Sequence, residues 1–289
     1  HGFNTSTTNF WAFWKVDTAL TKDGHKVMLA SVAPFDDSKA RAAQLKSQVD
    51  KLLAKTGAKK VNLLCFSQGG VDCRWLVSPN GLKYASKVAS VTMLSSPNRG
   101  TYIGDAGVAL LPNAGTARGD LVDLFASWYG STFSTLARDS HFIAALRAMS
   151  EAGMADFNRV AIDAPGLYYQ SWAGFSYVAG APNPLDTREE DCTDDQGLVR
   201  LLWNDGRRDL MDPLLVPGAA IVAHGASMIP NDGVTTIRSA KWGRFRGCLP
   251  ADHLDQVGQV KDSGVDRRTG FDYLRWYRNT AFELATMGY

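Results

Sequence analysis

The chain has 289 residues, 45% of them apolar and 21% charged, with a net charge of +2. Those totals fit one globular α/β domain and exclude a dedicated nucleic-acid binder, since no Lys/Arg block stands out. No apolar run approaches the roughly 18–20 residues needed to cross a bilayer.

Residues His1-Gly2-Phe3 open the chain without a Met or a signal peptide, so we expect an upstream segment removed by processing or trimming. Helical spacing of Phe10, Phe13, Trp14, Val16 and Leu20 predicts a helix over Asn9–Lys22, stopped at Gly24. Lys26–Val32 reads as a short buried strand. Ser38–Lys55 is a second predicted helix, with Leu45, Val49, Leu52 and Leu53 on one face and Gly57 as its stop. Val61–Phe66 is an apolar strand, followed by Ser67-Gln68-Gly69-Gly70 and a helix over Val71–Val77; Val88–Leu94 is a further strand. Strands alternating with helices predict βαβ units, hence a mostly parallel sheet covered on both faces.

The alternation breaks over a helical insertion at about 104–154, with amphipathic stretches at Asp120–Tyr129 and Phe142–Met149. Such an insertion either packs on the sheet or forms a lid over an apolar pocket. Tyr168–Phe175 is a returning strand, Thr187–Arg208 a polar loop region, and Thr269–Met287 a closing helix. Neither a repeat nor a domain linker interrupts 1–289. Of the four cysteines, Cys65 and Cys73 read as small buried hydrophobes, whereas Cys192 and Cys248 lie in loops that can form one bridge in a secreted protein.

Ser67 carries the strongest chemical signal. An apolar strand, then Cys65-Phe66-Ser67-Gln68-Gly69-Gly70, then a helix is the layout of a nucleophile elbow. Small residues must flank such a serine at two positions on either side, and Gly69 and Cys65 stand there. The competing reading is a serine that merely caps the helix. A serine hydroxyl needs a base, and the base an orienting carboxylate, in the order Ser, Asp, His for this layout. His253, in the loop Pro250–Asp255, suits the base better than His224, which sits in a Gly/Ala-rich run. Two Asn-Asp-Gly tripeptides offer the acid, and each is also a strong turn former. Asp205 is followed by Arg207 and Arg208, while Asp232 sits between apolar stretches, twenty-one residues before His253. Asp232 is therefore the expected acid. Amides of Gln68 and Phe3 are the expected oxyanion donors, with the strand that should precede His1-Gly2 missing upstream.

Together these residues resemble the calcium-binding, foldase-dependent bacterial triacylglycerol lipases of the α/β-hydrolase superfamily, nearly end to end. The resemblance rests on His1-Gly2-Phe3, on Val61–Gly70, on Ser96-Pro97-Asn98-Arg99-Gly100, on Asn231-Asp232-Gly233-Val234 and on His253-Leu254-Asp255-Gln256-Val257. It implies an α/β-hydrolase fold, a Ser67–Asp232–His253 triad, and a secreted enzyme that cleaves acyl esters, in some cases at a lipid–water interface. It implies no organic cofactor. A structural calcium ion is implied, held by Asp212, Asp255 and backbone carbonyls of Gln259 and Ser263; two carboxylates with carbonyls suit that hard cation. The competing reading makes Asp255 a helix cap and Asp212 the start of a turn. A foldase chaperone is the implied partner. Cys65-Phe66 replaces the family's Gly-His, and Cys248 lies five residues before His253 rather than soon after the acid. A polyester depolymerase on the same triad is the alternative activity. Two remote readings are a non-catalytic binding protein on this fold and a copper monooxygenase using His1, the latter disfavoured by helix–strand alternation.

Overall fold

A computed structural model describes residues 12–110, 140–178, 189–198, 209–227, 229–259 and 265–289. Helix α1 (Val16–Lys22) begins later than the periodicity predicts, because Phe13 and Lys15 both take left-handed backbone conformations (φ 65° and 57°). The segment predicted as a strand at Lys26–Val32 is irregular instead. The backbone groups of Val27–Ala30 pair with no neighbouring strand among the described residues, and an apolar run without a ladder is not a strand. Helix α2 (Ser38–Thr56) matches its prediction. The Asp37 carboxylate accepts from the amides of Lys39 and Ala40, and Gly57, at φ 70°, closes the far end.

Strand β1 (Val61–Phe66) leads through Ser67 into α3 (Gln68–Val77), and β2 (Val88–Leu94) follows. Helices α4 (Tyr102–Leu110) and α5 (Ser140–Met149) fall in the segment read as an insertion, and α6 (Glu151–Val160) runs past its expected end near 154; Asp120–Tyr129 lies outside the described residues. The chain then runs through β3 (Tyr168–Gly174), α7 (Val216–Val222), α8 (Ile237–Ala240), β4 (Arg244–Leu249) and α9 (Tyr273–Thr286).

The four strands form one parallel sheet in the order β1-β2-β3-β4, with Cys65 opposite Met93, Leu94 opposite Trp172 and Ala173 opposite Cys248. Alternate side chains feed two cores. Leu63, Cys65, Val91 and Met93 pack with Leu45, Val49, Leu76 and Val77 of α2 and α3. Phe66, Leu94, Trp172 and Leu249 pack with Val16, Leu20, Trp276 and Tyr277 of α1 and α9. Helices therefore cover both faces, as a parallel sheet requires. Each buried Leu or Phe contributes about 1.5–3 kcal/mol relative to exposure.

One buried ion pair fixes α3 against α2. Arg41 Nε donates to Asp72 Oδ2 at 2.8 Å with both side chains essentially excluded from solvent, and Arg41 Nη1 reaches the Ala33 carbonyl. Burial raises the Asp72 pKa, with the Arg41 charge opposing it. Removing one partner of such a pair costs about 3–5 kcal/mol, because the other charge is left buried.

Candidate active site

Ser67 stands between the last residue of β1 and the first of α3, with φ 54° and ψ −134°. This backbone is forced by the sharp reversal from strand to helix, and such a conformation stores about 1–3 kcal/mol. The Ser67 amide donates to the Leu94 carbonyl at 2.9 Å, tying the turn to β2. A Cβ added at Gly70 would lie 2.0 Å from Ser96 Oγ, so only glycine lets α3 approach β2 this closely. The Ser67 side chain makes no capping hydrogen bond to α3, although its carbonyl accepts from the Gly70 amide at 3.0 Å, and this sets aside the reading of the hydroxyl as a helix cap.

The structure corrects the reading of Cys65 and Cys73 as free hydrophobes: they form a disulfide, with Cα atoms 6.9 Å apart. Both face the core between β1 and α3, and their apolar setting hid the pairing. Closing a loop with a separation of eight residues stabilises by about 2.5 kcal/mol in the chain-entropy account. Cys192 and Cys248 form the second bridge.

Asp232 lies in the turn between α7 and α8, where Asn231 and Thr236 bridge. Gly233 sits at φ 93°, and a Cβ there would meet Leu215 Cβ at 2.7 Å. The Asn-Asp-Gly tripeptide is thus both a tight turn and the carrier of the candidate acid. Amides of Val234 and Thr235 donate to Asp232 Oδ1 at 3.1 and 2.8 Å. His253 follows β4, its amide donating to the Asp232 carbonyl and its Nδ1 lying 2.7 Å from Asp232 Oδ2. With Nδ1–H donated to the carboxylate, Nε2 is left as the proton acceptor. The Phe66 ring packs 4.5 Å from the imidazole. Burial pushes the Asp232 carboxyl up, but the His253 charge and hydrogen bond, the Thr235 amide and the Gln256 amide outweigh it. The carboxyl is held below its usual range.

Gln68, as the first residue of α3, has no carbonyl one turn back for its amide, and its side chain is anchored on the Asp36 carbonyl at 2.8 Å. Phe3, Ser263 and Asp205 lie outside the described residues. His224 is engaged elsewhere, 3.0 Å from Glu151 and stacked on Tyr102.

Beside the histidine loop, carboxylate oxygens of Asp209, Asp252 and Asp255 lie within 4.8 Å of one another. Burial, reinforced by the neighbouring carboxylates, raises Asp209 to about 7 and Asp255 to about 9. Burial likewise raises Asp252 to about 6 against three backbone amides. Asp209 Oδ2 is buried without a hydrogen-bond partner. A hard divalent cation would satisfy such a set. Of the residues proposed from sequence, Asp255 joins this group. Asp212 does not; its amide donates to Asp252 Oδ2 at 2.7 Å and its Oδ1 accepts from Leu214. The Gln259 amide bonds to the Leu254 carbonyl. Sequence reasoning missed Asp209 and Asp252. The only signal for Asp252 was its place next to His253, and Asp209 lacked any.

Residues 1–170 match the family model of the alpha/beta hydrolase fold. The chain belongs to that family. Among curated relatives it is 26% identical to the triacylglycerol lipase of Vibrio cholerae, over 96% of this chain and 82% of that protein. It is 29% identical to the triacylglycerol lipase of Burkholderia plantarii, over 88% of this chain and 75% of that protein. Among solved structures, the lipase of Staphylococcus hyicus aligns over all of this chain and 95% of its own, with a TM-score of 0.64 at 15% identity. That likeness establishes shared fold alone.

Proposed function

We propose that this carboxylic ester hydrolase works through an acyl-enzyme formed on Ser67. His253 Nε2 takes the Ser67 proton as Oγ attacks the ester carbonyl. Asp232 holds the imidazole in the reactive tautomer and stabilises the imidazolium. The Gln68 amide, with Phe3 as the second donor, binds the oxyanion. Water then releases the acyl group by the reverse relay. The observation that carries this reading is the 2.7 Å contact between His253 Nδ1 and a fully buried Asp232, with the imidazole packed on Phe66, the residue just before the strained Ser67.

Acyl esters with apolar chains are the proposed substrates, in keeping with the triacylglycerol lipases to which the chain is similar. The Asp209–Asp252–Asp255 group is the proposed calcium site, with Asp212 alongside and the Gln259 and Ser263 carbonyls as further ligands. Calcium would act there as a structural clamp on the loop that bears His253. Two disulfides support secretion, since such bonds persist in oxidising compartments. Among the described residues no helix is long and apolar enough to cross a membrane. Foldase dependence is carried over from the resemblance and is tested by refolding the purified chain alone. For the activity itself, a fluorophosphonate should label the wild type and not Ser67→Ala. Hydrolysis of p-nitrophenyl esters of graded chain length, beside a polyester film, then separates lipase from depolymerase.

A further inference from the structure

Four donors converge on the Asp232 carboxylate, and one of them is a side chain that the triad does not include. Gln256 is completely buried. Its Nε2 donates to Asp232 Oδ2 at 2.9 Å, the oxygen that also receives His253 Nδ1, and to the Asp252 carbonyl at 3.0 Å. Both partners are acceptors only, so the amide has one permissible orientation; a flip would set Oε1 against the carboxylate. Gln256 Oε1 is correspondingly left buried without a partner. The fold also makes room for this amide. A Cβ built at Gly174, the last residue of β3, would lie 1.9 Å from Gln256 Nε2.

We propose that Gln256 is a positioning residue of the ester hydrolase, clamping Asp232 Oδ2 in register with His253 Nδ1. Its two amide protons join the acid to the carbonyl of the residue just before the base. The carboxylate is thereby fixed by both oxygens: Oδ1 by the Val234 and Thr235 amides, Oδ2 by Gln256 and His253. Without Gln256, Oδ2 swings about the Oδ1 anchor and the imidazole loses its fixed aim. Gly174 serves the same end by admitting the amide between β3 and the histidine loop.

This inference rests on the triad reading, so Asp232→Asn is assayed alongside Gln256→Met, which keeps the side-chain length and removes the donors. Loss of a hydrogen bond to a charged group should lower kcat by about 10- to 100-fold. KM should stay within about twofold, since the ester touches neither residue. The low-field proton resonance of His253 Nδ1–H should move in Gln256→Met while the melting temperature stays close to wild type. A Gln256→Met enzyme with wild-type kcat, beside an inactive Asp232→Asn, overturns the inference and leaves the triad standing. A kcat loss that merely tracks a fall in melting temperature also overturns it. An active Asp232→Asn overturns the triad reading and this inference with it. Should the variants fold poorly, the wild type decides: slow solvent exchange of the Gln256 Nε2 protons is expected, and exchange at the bulk rate rejects the clamp.

Discussion

Cys65 and Cys73 are joined across Ser67, so the proposed nucleophile sits inside a covalently closed strand–turn–helix. The bridge spans the strained backbone position of Ser67 and ties β1 to α3. The double variant Cys65→Ala/Cys73→Ala should lose about 2.5 kcal/mol of stability for a separation of eight residues, and Cys192→Ala/Cys248→Ala about 4 kcal/mol for fifty-six. Denaturant midpoints measure both. Activity at temperatures well below unfolding should fall further in the first pair, since only that bridge encloses Ser67. Equal activities in the two variants would mean the elbow holds its shape without the bond.

Ser67→Ala should retain the fold and lose on the order of a millionfold in turnover. The assay is steady-state ester hydrolysis beside a circular dichroism spectrum of the same preparation. Retention of a tenth of wild-type activity would remove Ser67 from the role of nucleophile.

The paired Asn-Asp-Gly tripeptides allow an internal control. Asp232→Asn should reduce kcat by roughly 10⁴-fold, because the amide favours the wrong imidazole tautomer. Asp205→Asn should stay within about threefold, as expected of a residue outside the proposed triad. The opposite ranking would transfer the acid to Asp205.

The strand–elbow–helix was legible because Val61–Phe66 is apolar without interruption and stops at Ser67-Gln68-Gly69-Gly70. Both features are local. Lys26–Val32 misled for a related reason: composition signals a strand, but a ladder needs a neighbour, and pairing is not written in the run itself. The Cys65–Cys73 bond was hidden because a spacing of eight residues says nothing until the strand and helix are stacked face to face. The pairing of Asp232 with His253 was legible through chain order and turn chemistry. Asp209 and Asp252 were missed, since their meeting depends on how the loop before α7 folds beside the one after β4.

That acidic meeting point predicts a pH dependence whose sign depends on calcium. In metal-free protein, Asp252, Asp209 and Asp255 ionise at about 6, 7 and 9 in the folded state, all raised by burial from 3.8. The unfolded chain gives up these protons near pH 4, so between that value and about 9 the folded state binds more of them. Stability should therefore be greatest at the acid end and fall as pH rises through this window. Calcium at the proposed site should reverse the trend, because it would bind the ionised carboxylates of the folded state and so drive their pKa values down. The gain at a hundredfold excess over Kd is about 2.7 kcal/mol, and it should grow from pH 5 to pH 8.5. Melting temperatures in millimolar calcium and in chelator, measured across that range, check the prediction. Asp255→Asn should raise the metal-free melting temperature at pH 8, because the folded protein no longer has to hold a buried carboxyl protonated there, and should abolish the calcium response. If Asp255 only caps a turn, its replacement lowers stability by about 1 kcal/mol at every pH. Calcium then changes nothing in either protein, and identical melting curves with and without the ion would reject the clamp.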